Sequence, residues 1–433
     1  MNILVINRHF YPDDAPTSVL LSDLAFALTR QGDHVTAIAG RLRYHGGAPL
    51  TSKRERVHGV DIHRVWSSFR GRSSLVGRVL DYGSFYLAVA WPLWRLARGA
   101  DFIIAKTDPP LLSVMVAVIA RLRGAKHANW LQDIFPEVAE ALHVGGPAGD
   151  FALRRLRPLR DWSLKTASMN VVIGESMAEH LQALGVSPSR IRVISNWADG
   201  NQIKPIPPRQ NALRKEWGLN DRFVVGYAGN LGRAHEVDTI IETIALLNRR
   251  AIDSPPNDIA RRIEFVFVGG GVQHAKLKEE ISRRSLGNVE IYPYQPQERL
   301  AETLGMSDLH IVSLNPTQEG LIVPSKFYGI AAAGRPTLFI GASDGEIARL
   351  VERAGCGFTV SPGDAQTLTS HILKLAGDAE LRDRMGKRAR AAFDKLWDKK
   401  HALEKWVDLL KTVAGTRDNP QALPNSKLTR MKR

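Results

Sequence analysis

At 433 residues the chain is too long for a single hydrophobic core, and two domains are expected. Its 44% apolar content is ordinary for a globular protein, and one cysteine, Cys356, excludes an internal disulfide and a cysteine-rich zinc site while fitting a reducing cytosol. A formal net charge of +15 calls for an anionic partner. The charge is spread over helices without a zinc-finger, RNA-recognition or helix-turn-helix signature, which favours a membrane surface and phosphate-bearing substrates over nucleic acid.

Asn2 to Ile6 reads as a buried strand, and Arg8 interrupts it too early for a signal peptide. A polar loop to Asp14, a helix from about Thr17 to Gln31 and a strand from His34 to Ala39 follow. Strand–helix–strand at this length predicts a right-handed crossover on a parallel sheet. The first loop then lies at the carboxyl edge, where open α/β sheets bind ligands, so Arg8, His9 and Asp13 sit at a functional edge. No Gly-x-Gly-x-x-Gly run stands there, which argues against a dehydrogenase.

Arg41 to Val57 reads as a basic loop and Val60 to Trp66 as a strand. Leu75 to Ala97 is apolar and aromatic, interrupted by Arg78, Asp81, Pro92 and Arg95; its clean run, Phe85 to Trp94, is about half the length a spanning helix needs. It is either a buried helix or one with a face in the lipid interface. Strands from Asp101 to Ala105 and Lys126 to Leu131 flank a helix from Pro110 to Leu122. Asp133 follows the second strand, before a helix that Pro136 can open, and is a site residue or a helix cap. Phe151 to Lys165 interleaves Arg154, Arg155, Arg157, Arg160 and Lys165 with Leu153, Leu156, Leu159 and Trp162. That spacing predicts one basic amphipathic helix bent at Pro158, facing either a membrane or solvent.

Pro205, Pro207 and Pro208 mark a linker. The expected domains are 1–204 and 205–395, with a terminal helix in 396–415 packing back toward the first domain and a disordered basic tail over 416–433. The second domain repeats the α/β pattern. A strand from Arg222 to Ala228 runs into Gly229-Asn230-Leu231-Gly232-Arg233, and one from Ile263 to Val268 into Gly269-Gly270-Gly271. A third, Leu309 to Leu314, precedes Glu319-Gly320-Leu321 and a helix opening at Ser325-Lys326. Glycines let backbone N–H groups approach a diphosphate, Arg233 offers a forked cation, and Lys326 adds charge at a helix N-terminus. The alternative is a plain strand–loop–helix connection. Together the two patterns predict two doubly wound Rossmann-like domains whose carboxyl edges face a cleft.

Four segments, QDIFPE from Gln132, SNWAD from Ser195, YAGNLGR from Tyr227 and EGLIVPSKFYGIAAAGRP from Glu319, resemble the glycosyltransferases of family four, enzymes of GT-B fold. The likeness covers nearly the whole chain and is nearest to a subgroup with Pro-Ser-Lys in the donor loop. It implies retaining transfer of a sugar, of hexosyltransferase type, from a nucleotide-sugar, with UDP as the family-level base. It implies no cofactor and no metal. The implied acceptor is a lipid-linked saccharide of envelope, lipopolysaccharide or exopolysaccharide assembly, at the inner face of the cytoplasmic membrane. The implied donor residues are Gly229, Asn230, Gly232, Arg233, Gly269, Gly320, Leu321, Ser325, Lys326 and Glu346; the implied catalytic residues are Asp133, Arg233, Glu319 and Lys326. The chain departs from the family where a second Glu usually holds the ribose: Gly329 stands there, with Glu346 as a substitute. The usual Arg and Lys of the first glycine loop align with Asn230 and His235. A nucleotide-sugar epimerase of the same fold and a basic nucleic-acid-binding protein are the competing classes.

Overall fold

The computed structural model describes residues 1–44, 49–70, 75–144 and 146–415. The expected tail over 416–433 lies outside them, as do 45–48 of the expected loop. The chain forms two compact units, Met1–Ser195 with the chain from Leu403, and Asn196–Ala402.

In the first unit, β1 (Asn2–Ile6), β2 (His34–Gly40), β3 (Arg54–Val57), β4 (Val60–Val65), β5 (Phe102–Lys106), β6 (Lys126–Trp130), β7 (Met169–Val172) and β8 (Ile191–Val193) make one sheet. Its order is β3-β4-β2-β1-β5-β6-β7-β8. Every neighbouring pair is parallel except β3 with β4. Winding runs from β1 toward β4, then restarts on the other side at β5, so the topological switch point lies between β1 and β5. The central strands are apolar runs because helices cover both faces, and β5 is buried throughout.

Two local expectations need correction. Arg54–Val57 is not loop but an edge strand, antiparallel to β4. Its charged Arg-Glu-Arg sequence suits an edge that must not pair further, and the same charge hides it from an apolar pattern. The basic segment is not one bent helix but two, Gly146–Arg154 and Arg157–Thr166. Pro158 falls in the first turn of the second helix, where its missing N–H costs nothing.

The helix Leu75–Leu96 buries Phe85, Val89 and Leu93 against Leu4, Ile6 and Ile103. From the last helix, Lys399–Gly415, Trp406 packs on Trp130 with ring centres 4.7 Å apart. Lys126 Nζ donates to the Val413 carbonyl at 2.6 Å.

In the second unit, β9 (Phe223–Asn230), β10 (Ile263–Gly270), β11 (Val289–Tyr292), β12 (Leu309–Ser313), β13 (Thr337–Ile340) and β14 (Gly357–Val360) form a sheet in the order β11-β10-β9-β12-β13-β14. All its pairs are parallel. The strands bury Val225, Tyr227, Phe265, Phe267 and Ile311 in one cluster with Ile240, Ile244 and Leu368 from the helices. The switch point lies between β9 and β12.

Candidate active site

At the carboxyl ends of β9, β10 and β12, three loops are stitched together. Leu231 N–H donates to the Gly270 carbonyl at 2.7 Å, and Asn315 N–H to the Ala234 carbonyl at 2.8 Å. Gly269 has a φ of +133°, and a Cβ there would run into the Gly229 carbonyl, so only glycine lets β9 and β10 close on each other. These contacts fix the backbone of Gly229, Asn230 and Gly269 beside one another.

Lys326 opens the helix Lys326–Ala332 and reaches back over this junction. Its Nζ donates to the Tyr227 hydroxyl and, at 3.3 Å, to the Asn230 carbonyl. It also lies 3.8 Å from the centre of the Tyr227 ring. The side chain keeps part of its surface, but the ammonium is turned inward, and burial pulls its pKa down to about 7. His235 lies close by; its Nδ1 donates to the Ser313 carbonyl at 2.6 Å. Burial, then the Lys326 charge, push His235 down to about 3, so it is neutral. His274 is shifted down by burial and by Lys278 and Lys326, and its Nε2 is buried with no hydrogen-bond partner among the described residues. Sequence reasoning missed His274; the cue was its place just past Gly269-Gly270-Gly271. Arg233 is exposed and has no ion-pair partner among the described residues.

Among the described residues Lys326 makes no hydrogen bond or ion pair to the other donor-side side chains. Glu319 Oε1 accepts the Glu346 backbone N–H at 2.8 Å, so this carboxylate caps the helix Glu346–Ala354. Glu346 itself is buried and adds to the upward shift of the Tyr328 hydroxyl. Gly320 has a φ of +74°, Leu321 is buried, and Ser325 occupies the N-cap of the Lys326 helix with no side-chain bond. At Gly329 a Cβ would meet Leu304 Cδ1 at 3.1 Å, so the position lacking the usual Glu faces packed side chains.

The first unit has its own constellation at the β1/β5 switch point. His9 Nδ1 and Asp13 Oδ2 lie 2.8 Å apart, and Asp13 also accepts the N–H groups of Ala15 and Tyr44. These bonds hold the Asp13 carboxyl below its usual range despite burial. With Nδ1 donating to Asp13, His9 Nε2 accepts from Arg8 Nε at 3.2 Å. Arg8 Nε also faces Asp108 Oδ1 at 3.4 Å.

Asp133 does not cap the following helix, whose N-cap is Pro136. Its Oδ1 is buried and unbonded, and burial raises its pKa to about 6; Asp108 adds to the rise, while a bond from Thr107 and the Lys106 charge oppose it. Lys106, Thr107, Asp133 and Arg160 line one hollow. Thr107 and Asp108 follow β5 as Asp133 follows β6, and that parallel position was the cue by which sequence could have found them.

Residues 17–197 match the family model described as a glycosyl transferase 4-like domain, and residues 209–392 match that of glycosyl transferases group 1. The chain belongs to the glycosyltransferases of family-four type. WbjE of Pseudomonas aeruginosa, named as a probable glycosyltransferase, is 26% identical to this glycosyltransferase over 283 residues, 64% of this chain and 66% of its own. WcaI of Escherichia coli (strain K12), named for glycosyl transfer in colanic acid biosynthesis, is 24% identical over 340 residues, 77% of this chain and 80% of its own. The crystal structure of Anabaena HepE in complex with UDP superposes with a TM-score of 0.69, covering 95% of this chain and 100% of its own at 18% identity. That likeness shows the GT-B fold.

The two segments expected at a membrane differ in the glycosyltransferase structure. On Leu75–Leu96, Val76, Val79, Leu80, Leu87 and Trp91 are exposed opposite the buried face, Leu87 at 81% and Trp91 at 68%. By contrast, the basic pair of helices uses part of its charge internally, while Arg155 and Lys165 stay exposed beside Phe151, Leu159 and Trp162. Arg160 is buried and pairs with Glu137 and Asp161, and Arg157 pairs with Glu140. Among the described residues no helix is long and apolar enough to cross a membrane.

Proposed function

We propose that this glycosyltransferase moves a hexose from a UDP-sugar to a lipid-linked saccharide in envelope or exopolysaccharide assembly, with retention at the anomeric carbon and without a metal. The observation that carries the reading is Lys326, held over the Asn230 carbonyl beside Gly229 and Gly269. An ammonium with a lowered pKa and no carboxylate partner among the described residues is an incomplete ion pair that a departing diphosphate would complete. Arg233, on the glycine loop after β9, supplies a second cation. The UDP of the Anabaena structure supports the nucleotide, and the names of the relatives support envelope polysaccharide as the setting.

Asp133 is proposed to orient the acceptor hydroxyl and take its proton; a carboxyl raised to about 6 is a stronger base than a solvated one and is still ionised at neutral pH. Glu319 and Glu346 are proposed to shape the donor loop from behind, through the helix cap they share. The Pro-Ser-Lys loop supports membership of the matching subgroup, and the exposed stripe of Leu75–Leu96 is proposed to hold the protein peripherally on the inner face of the cytoplasmic membrane.

The deciding experiment incubates the purified protein with UDP-sugars, with and without a polyprenyl-linked saccharide. Sugar transfer only when acceptor is present is the expected result. Conversion of the UDP-sugar to its epimer without acceptor would replace this reading with the epimerase one.

A further inference from the structure

We infer that the second unit carries another anion site, an arginine-lined cavity at the amino edge of its sheet that takes a phosphate-bearing ligand on Arg209, Arg222, Arg262 and Arg382. The open cavity, ≈ 520 Å³, is also lined by Phe223, Arg214 and Asp308. Phe223 begins β9 and Asn230 ends it. At about 3.3 Å per residue, those seven steps separate the cavity from the glycine loops by about 23 Å. It is therefore distinct from the proposed donor site and does not rest on that reading.

The lining holds one carboxylate, and that one is already spent. Asp308 Oδ2 accepts Arg214 Nη1 at 3.0 Å and the Val224 N–H at 2.8 Å. Arg214 is consumed as well, donating to the carbonyls of Leu219, Met306 and Arg222. Arg222 and Arg262 are each hydrogen-bonded through one nitrogen only. Arg222 Nη1 donates to the Arg261 carbonyl at 3.0 Å and Arg262 Nε to the Asp221 carbonyl at 3.1 Å. Arg382 Nη1 donates to the Leu375 carbonyl at 2.6 Å, its Nε lies 3.9 Å from Asp308 Oδ1, and its guanidinium lies 5.3 Å from the centre of the Phe223 ring. Arg209 makes no bond among the described residues. Glu264 lies 4.0 Å from Arg222, but burial, with help from Glu290, raises its pKa to about 7, so it is a poor counter-charge.

Neutral carbonyls anchor Arg222 and Arg262 without cancelling their charge, and Asp308, already bonded to Arg214, is shared with Arg382. Their remaining N–H groups make no hydrogen bond among the described residues, and a guanidinium fork of that kind matches phosphate oxygens. Like charges gathered in one hollow repel, and an anion removes that repulsion. Phosphate could come from a soluble polyphosphate or nucleotide, or from an anionic lipid headgroup.

The test is calorimetric titration of the full chain with tripolyphosphate at low salt, with Arg222→Gln/Arg262→Gln, Arg209→Gln and Lys326→Ala compared. Binding should survive Lys326→Ala and weaken by about tenfold for each arginine removed, the value of one charge-assisted bond. A parallel arm measures binding to phosphatidylglycerol vesicles against phosphatidylcholine vesicles. Tripolyphosphate binding lost in the double variant identifies a soluble phosphate ligand. No tripolyphosphate binding, with phosphatidylglycerol binding reduced in the same variant, identifies a headgroup. The inference is overturned if neither binds, or if binding is unchanged in both the double variant and Arg209→Gln. Arg209 anchors nothing, so its variant reads the site even if the double variant misfolds.

Discussion

Glu319 Oε1 sits 2.8 Å from the backbone nitrogen of Glu346, and this bond joins the donor loop to the helix Glu346–Ala354. The same carboxylate occupies the space where a Cβ on Gly345 would stand. The acid that the family pattern marks as catalytic therefore has a structural partner. Glu319→Ala should destabilise the second unit by about 1 kcal/mol, the usual value of an N-terminal cap. Glu319→Gln keeps an accepting oxygen and should retain that stability in urea unfolding. Loss of sugar transfer in the Gln variant at unchanged stability would show that the negative charge itself serves the donor. Normal transfer would confine Glu319 to the cap.

Lys326 gives a pH signature. In the unfolded chain it stays protonated up to its ordinary value of 10.5, but folded only to about 7. Between those values the unfolded state binds more protons, so this group makes stability rise with pH across that window. Lys326→Met should flatten that rise while cutting turnover by about two to three powers of ten. Binding of a diphosphate should restore the charge. Calorimetry of UDP binding at pH 8 in buffers of different ionisation enthalpy should then show proton uptake, absent in Lys326→Met.

Most strands and the glycine loops were legible in the sequence because apolar runs and glycines are local signals. The β9 and β10 ends and the Lys326 helix are examples. What was not legible depends on contacts remote in sequence. Glu319 finds its partner 27 residues on. In the basic stretch from Arg154 to Lys165, Glu137 and Glu140, on another helix, pair with Arg157 and Arg160, which the sequence pattern does not show. For Asp133 the strand-end position was readable, but burial under Lys106 and Thr107 decides its chemistry, and burial has no sequence motif.

Asp133 should titrate where activity does. Its pKa is about 6 folded and 3.8 in the unfolded chain, so the folded state binds the extra proton between those values. This group therefore makes stability fall as pH rises from about 4 to about 6. Asp133→Asn removes that fall, so its melting temperature should equal or exceed the parent's at pH 7, while transfer is lost. In the parent, the kcat/KM for acceptor should rise with pH through about 6, as the base ionises. A lowered melting temperature with near-normal transfer by Asp133→Asn would leave the acceptor base unidentified.

The helix Leu75–Leu96 is apolar on two opposite faces, one in the core and one in the open. A surface helix normally turns polar groups outward. Here the outward stripe runs through Val76, Leu80, Leu87 and Trp91, with Arg95 exposed near its end. Exposed side chains do not support the fold, so Leu87→Ser/Trp91→Ser should leave the melting temperature within about 1 °C, because surface changes away from packing contacts usually cost little. Flotation with anionic liposomes should fall sharply in that variant at any salt, since apolar insertion is not screened. Arg157→Gln should behave in the opposite way. It breaks the pair with Glu140, lowers stability, and leaves flotation of the folded protein unchanged. If flotation instead follows Arg157 and ignores Leu87 and Trp91, the contact is electrostatic and lies on the paired basic helices.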